Sequence, residues 1–296
     1  MRKRKEATST ELRKYRDQFS EAKHAEVKSW IGNEVYDIID MRKMKVKNFV
    51  TGRWVLVVKN DKDGNFSKCK ARWVLRGFQD KQKDDLQTDS PTASRPGLRL
   101  ALQYAANCGH TLRHIDLKTA FLQGQAFDKD RDVVCQLPPE AGYPNYMGAR
   151  MKKCGYGLND APRKWWNKID SALLSYGLVP TRADRCCYVL YSANKYNPDQ
   201  MKTHMSKGEG SSPDVAKTID TALEYLTDPV CGSPAAGKVT SGVLCLHVDD
   251  LIMAGDEEFQ ERVVKCLKTH FEVGSEDIDD IEFCGQRIKW IAATPT

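Results

Sequence analysis

VLCLHVDDLIMAG, residues 243–255, decides the fold. Two adjacent acids, Asp249 and Asp250, stand between two apolar runs, each about the length of a buried strand. Apolar runs seek burial, and placing two carboxylates side by side at the join is costly. Like charges that close raise each other's pKa unless a cation neutralises them. A divalent metal with oxygen ligands is the natural solution, and a tight bend would hold both acids at the edge of a buried sheet. Taken alone, the pair reads equally as a metal site or as a strained turn. Two further Asp-Asp pairs, at 84–85 and 279–280, lie in polar surroundings and read as solvated turns.

Working outward, a third acid changes the balance. Asp116 ends the strand-like LRHID and precedes LKTAF. An acid where a strand meets a helix is by itself a helix cap. Acids at two strand ends, however, can meet across adjacent strands. Such a cluster is what two-metal phosphoryl transfer requires: one metal activates the attacking hydroxyl and the other stabilises the leaving oxygen.

The rest of the chain reads as mixed helix and strand. Residues 239–246 and 251–254 are apolar strands, and Asp256 caps a helix with Phe259, Val263, Leu267 and Phe271 on its buried face. Residues 281–291 read as a last strand and 187–191 as another. Asp160 and Pro162 open a helix that ends near Gly177, with Trp166, Ile169, Leu173 and Tyr176 as its stripe. Residues 98–108 form a helix stopped by Gly109, 111–117 a strand, and 118–122 the start of a helix. Residues 50–58 and 70–75 are strands joined by the turn DKDG, giving a basic hairpin that projects from the body. Residues 11–39 read as helical and 80–94 as loop. The pattern is α+β with an antiparallel sheet. Residues 1–20 read as a basic tail, 21–291 as one functional region interrupted by a polar insertion at 192–237, and 292–296 as a second tail.

Composition narrows the class. The formal charge of +6 is a mild basic bias, concentrated in residues 42–81, while 257–282 is mostly acidic. A basic half suits a phosphate partner, and a solvated surface explains the charge equally well. The ten cysteines form no C-x-x-C pair or Cys/His cluster, so they read as buried thiols in a reducing compartment rather than zinc ligands. No run approaches the ~20 apolar residues a membrane helix needs. The expectation is an intracellular protein, cytoplasmic or nuclear, with no membrane partner.

An ordered series of motifs resembles the reverse transcriptase of copia-type LTR retrotransposons. KARWVLRGFQ (70–79) looks like its fingers motif and HIDLKTAFLQG (114–124) like its first catalytic motif. YGLNDAPRKWW (156–166) looks like the motif behind the nucleotide pocket, HVDD (247–250) like the second catalytic motif, and FCGQRIKW (283–290) like the start of the primer grip. One such motif is weak, whereas the ordered set is specific.

The resemblance implies a right-hand polymerase fold, with fingers and an antiparallel palm sheet present and the thumb absent. It implies synthesis of DNA from deoxynucleotides on an RNA or DNA template with a primer, using two Mg2+ ions, with Mn2+ as a substitute. Asp116 and Asp249 would bridge the metals and Asp250 would complete the cluster. Arg72, with Lys70, would clamp the triphosphate, since a planar guanidinium pairs two oxygens at once. Phe121 would be the aromatic gate that leaves no room for a 2′-hydroxyl; a core phenylalanine is the alternative. Tyr156 and Gly157 would line the pocket, with Trp165 and Trp166 in the core. His247 would lie at the primer terminus, where the family usually has Tyr. RNase H and integrase, the other Pol domains expected as partners, are absent from these residues. Two other readings stay open: a retrotransposon remnant that binds nucleic acid without turnover, and a nucleotidyl transferase of another palm-type family.

Overall fold

The structure, a computed structural model, describes residues 6–61, 63–195, 238–289 and 291. The chain divides into two compact units, the first built from Met1–Pro91 and Lys118–Ser171, the second from Thr92–Leu117 and Ala172–Thr296. Helices and sheets are mixed in both, the α+β class the sequence implied.

In the first unit, the segment read as a tail carries helix α1 (Ser9–Lys14), opened by a Thr8/Glu11 capping box. Helix α2 (Arg16–Gly32) follows and buries Phe19, Val27 and Trp30. The expected long helix over residues 11–39 stops there, because residues from Tyr36 enter strand β1 (Tyr36–Asp40). That strand borders a sheet ordered β1-β7-β6-β2, with β2 Phe49–Val50, β6 Val134–Gln136 and β7 Met147–Met151. Strands β2 and β6, of two and three residues, are too short for a readable alternation.

The basic hairpin forms as β3 (Gly52–Asn60) and β4 (Phe66–Leu75), antiparallel around the Asp61 turn. It does not simply project. Ala71, Trp73 and Leu75 alternate as its buried face, and Trp73 meets Trp54 edge-on at 5.2 Å between ring centres. Trp73 and Leu75 join a core with Trp30, Val35, Val50, Leu122, Val133 and Met151. Helix α4 (Ala161–Ser175) begins after Asp160 as expected.

The second unit is built on a six-stranded antiparallel sheet. Its strands, in spatial order, are β12 (Val273–Ile278), β5 (Leu112–Leu117), β11 (Asp250–Gly255), β10 (Lys238–His247), β9 (Cys187–Lys195) and β8 (Val179–Pro180). Strand β12 escaped the sequence reading because VGSEDI is polar and mostly exposed. On one face, α3 (Arg95–Cys108) packs Ala101 and Ala105 against Leu112, Cys245, Ile252 and Ala254. Ser94 caps α3 by accepting from the Gly97 N–H at 3.1 Å, and Gly109 ends it at φ 65°. Helix α5 (Glu257–His270) has Asp256 as its cap, acids in its first turn and buried Phe259, Val263 and Leu267.

Three further expectations are corrected. Residues 118–122 do not continue as an α-helix: Thr119 sits at φ 46° and only a 3₁₀ turn, Ala120–Gln123, follows. Residues 281–291 are not one strand, because Cys284 and Gly285, both at positive φ, fold them into the hairpin β13 (Asp280–Phe283) and β14 (Gln286–Lys289). Residues 192–195, placed in the insertion, extend β9. The remainder of that insertion, 196–237, lies outside the described residues, as do 292–296. Of the nine described cysteines, all are free thiols and only Cys108 and Cys284 are exposed.

Candidate active site

Strands β10 and β11 pair up to His247 and Asp250, leaving Val248 and Asp249 as a two-residue hairpin loop. Val248 adopts φ 60°, a backbone state that glycine usually supplies at such a position. For a β-branched residue this is an outlier costing of order 1–3 kcal/mol, and such strain gathers at functional sites. The loop is tied to the neighbouring strand: the Leu117 N–H donates to the Asp249 carbonyl at 2.9 Å. On that same strand, β5, Asp116 is the register partner of Asp250. Side chains alternate along each strand, so Asp116, His114 and Leu112 share one sheet face with Asp250, Ile252 and Ala254. His247, opposite Asp250, lies on this face too.

His114 is the group the sequence reading missed. It is 5% exposed, in the middle of β5. Its Nε2 is 3.2 Å from Asp250 Oδ1, and its Nδ1 is 3.4 Å from Asp277 Oδ2 on β12. The Asp250 hydrogen bond holds the His114 ring above its ordinary pKa, opposed by burial and assisted by Asp277. Phe283 closes the site from the β13–β14 hairpin. Its ring stands edge-on to His114 at 6.1 Å and to His247 at 6.2 Å. A signal was available: a residue two before a candidate acid in a strand shares its face.

Asp116, Asp249 and Asp250 offer the hard oxygen ligands that Mg2+ or Mn2+ takes. Register brings Asp116 and Asp250 opposite each other, with Asp249 on the adjoining loop. The donor set fits a divalent cation. The carboxylates are not gathered in advance, since among the described residues no three His, Cys, Asp or Glu side chains converge to hold an ion.

In the first unit, the expected nucleotide-binding residues lie together. Lys70 and Arg72 occupy the β4 face opposite Ala71 and Trp73. The Arg72 guanidinium stands 5.0 Å from the centre of the Tyr156 ring, and Phe121 meets Tyr156 edge-on at 5.9 Å. Arg72 Nε is buried with no hydrogen-bond partner. Tyr156 is fixed through its backbone, its carbonyl accepting from the Leu75 N–H at 2.7 Å. Gly157 is at φ 93°, and a Cβ there would fall 2.0 Å from the Leu75 carbonyl oxygen.

A buried ion cluster supports this platform. Arg131 reaches Asp80 through Nη1 at 3.0 Å and Asp160 through Nε at 3.1 Å, and all three are buried. Asp160 directly precedes α4, and Asp80 follows the β4 motif, so one guanidinium joins one expected motif to the residue after another. Burial pushes the Asp80 carboxyl up, but hydrogen bonds from Arg131 and Asn48 outweigh it and leave it below its usual range. Arg131 stands outside every motif, and its partners lie 29 and 51 positions away.

Residues 33–196 match the family described as reverse transcriptase (RNA-dependent DNA polymerase). The Retrovirus-related Pol polyprotein from transposon TNT 1-94 of Nicotiana tabacum is 31% identical over 266 residues, 86% of this chain and 20% of its own length. The Pol polyprotein from transposon RE1 of Arabidopsis thaliana is 31% identical over 178 residues, 59% of this chain and 12% of that protein. The Transposon Ty1-JR1 Gag-Pol polyprotein of Saccharomyces cerevisiae is 26% identical over 183 residues. The chain thus spans from 10% to 20% of the length of these relatives. Among solved structures, Candida albicans telomerase bound to a fragment of telomeric RNA aligns with 92% of this chain and 48% of its own, at TM-score 0.43 and 8% identity. No described helix is long and apolar enough to cross a membrane.

Proposed function

The chain belongs to the reverse transcriptase (RNA-dependent DNA polymerase) family of copia-type retrotransposons, and from that premise we propose that it carries the DNA-synthesising centre of such an element. The observation that carries the reading is the pairing of Asp116 with Asp250 on adjacent strands, with Asp249 on the loop that β5 holds through Leu117. In this reading the second unit is the palm and the first the fingers. Asp116, Asp249 and Asp250 would hold two divalent ions, which would supply charge neutralisation at the transferred phosphate and a more acidic primer hydroxyl. The carboxylates orient the reacting groups.

The residues of the first unit take the incoming deoxynucleotide. Arg72 pairs two phosphate oxygens through its fork, with Lys70 as a second cation beside it on the strand. Tyr156 positions Arg72 from below and Phe121 beside it, and Phe121 excludes a 2′-hydroxyl. Gly157 permits the close approach of the pocket backbone to β4. His247 takes the place of the family's tyrosine at the primer terminus. Template and primer, RNA or DNA, are met through their phosphates by the basic residues of the β3–β4 region.

Primer extension by the 296-residue chain on an RNA template with a DNA primer tests this reading. Asp249→Asn is expected to abolish extension while the fold is kept. Extension by the variant at the wild-type rate would remove the site assignment. One observation favours a second reading, nucleic-acid binding without turnover: the half-buried His247 ring packs on Phe283 where the family has tyrosine. Primer-template retention without extension by the wild-type chain would support it.

A further inference from the structure

The position of His114 has a consequence for the carboxylates. A buried imidazole on an apolar sheet face is costly unless both nitrogens find partners. Here Ile252 flanks it in register on β11, while Phe283 covers its edge. Asp277 is its in-register neighbour on β12. Both nitrogens face carboxylate oxygens, Asp250 on one side and Asp277 on the other. The ring therefore has one orientation that satisfies it, and that orientation engages Asp250 Oδ1.

We propose that His114 is a positioning residue for Asp250: anchored by Asp277 and walled by Phe283, it sets the rotamer of Asp250 and so the direction in which the remaining oxygen faces Asp116. The inference rests on the metal-binding reading of the three aspartates. Carboxylates that ligate metals are themselves held by hydrogen bonds, and removing such outer partners typically costs about 10–100-fold in metal affinity. His114 is in place to be that outer partner, two residues before Asp116 on the same strand. Asp277 completes a chain of three side chains across β12, β5 and β11. The chain links a half-exposed edge acid to the centre of the site.

The test measures Mn2+ alone binding to the full chain by electron paramagnetic resonance, beside steady-state primer extension. His114→Leu removes both hydrogen bonds and is expected to weaken Mn2+ binding by about 10-fold or more. It is expected to lower kcat while the KM for deoxynucleotide stays within about twofold, because uniform substrate binding is untouched. His114→Gln keeps a donor toward Asp250 and is expected to restore most of the affinity. Asp277→Ala, on the exposed edge, is expected to weaken Mn2+ binding by a smaller factor and serves as the test if His114→Leu does not fold. Wild-type Mn2+ affinity in folded His114→Leu, or in Asp277→Ala, overturns the proposal, as does a His114→Gln variant no better than His114→Leu. Asp249→Asn run in parallel separates the two readings. If it keeps extension, the carboxylate assignment itself fails; if it loses extension while the His114 and Asp277 variants match wild type, only the positioning role fails.

Discussion

Asp116 and Asp250 are register partners on adjacent antiparallel strands, two carboxylates on a sheet face that also carries Leu112, His114, His247, Ile252 and Ala254. Like charges directly opposite one another destabilise a sheet. The hydrogen bond of Asp250 to His114, at 3.2 Å, lessens this repulsion. A dication would convert it to attraction.

The first prediction follows from that repulsion. Asp116→Asn should raise the Tm in the presence of a chelator, because one of two facing charges is gone. Added Mn2+ should raise the wild-type Tm, since binding only the folded state stabilises it, and leave Asp116→Asn unmoved. Thermal scans with and without Mn2+ measure both effects. Equal Mn2+ shifts in the two proteins would dissociate Asp116 from the metal.

Phe121 is held edge-on by Tyr156. If the proposed gate is right, Phe121→Val removes the ring that excludes a 2′-hydroxyl, so ribonucleotide incorporation relative to deoxynucleotide should rise. Competition between labelled ribo- and deoxynucleotides reads the ratio. An unchanged ratio would return Phe121 to a purely packing role.

Arg131 neutralises two acids whose side chains are 0% and 2% exposed. Arg131→Met leaves them buried and unpaired, which should cost about 3–5 kcal/mol at neutral pH. The Asp80 carboxyl sits below its usual range in the folded state, so its contribution is present above the unfolded pKa and is lost as pH falls through the folded pKa. The stability gap between wild type and Arg131→Met should therefore narrow in acid. Urea titrations at pH 7 and pH 4 measure it, and a gap that widens in acid would contradict the pairing.

Glu26 gives the opposite sign. Burial raises its pKa, against hydrogen bonds from Trp30 Nε1 and the Trp73 N–H, both to Oε1 at 3.0 and 3.2 Å. A carboxyl raised by folding adds stability below its unfolded pKa and loses it as pH rises through the folded value. Glutamine keeps an Oε1 acceptor for both donors and carries no charge. Glu26→Gln should gain stability over wild type as pH rises above the ordinary glutamate range and show no gain below it. Melting curves from pH 4 to pH 8 test the trend, and a pH-independent difference would exclude it.

Much of the candidate site was legible in one dimension. Apolar runs around Asp249 and Asp250 became β10 and β11, and LRHID became β5, because a short apolar run bounded by acids and turns marks a buried strand without reference to its neighbours. The cap of α5 at Asp256 and the stop of α3 at Gly109 were equally local. The polar edge strand β12 was not legible, since an edge strand pairs through backbone groups that every residue carries. Nor was the αL backbone of Thr119 and Val248, which β-branched residues adopt only when their surroundings impose it.

The sequence by itself determined which residues are the candidates for the chemistry: three aspartates from their apolar flanks, and, through the resemblance of its motifs, an arginine on an alternating strand and two aromatic residues. Tertiary structure alone decided their partners. His114 meets Asp250 136 positions away and Asp277 163 away, and Arg131 joins Asp160 of one motif to Asp80, which follows another. Local periodicity fixes the face on which a side chain lies. Which distant charge shares that face depends on strand order and register, and these are set by burying the whole apolar surface at once.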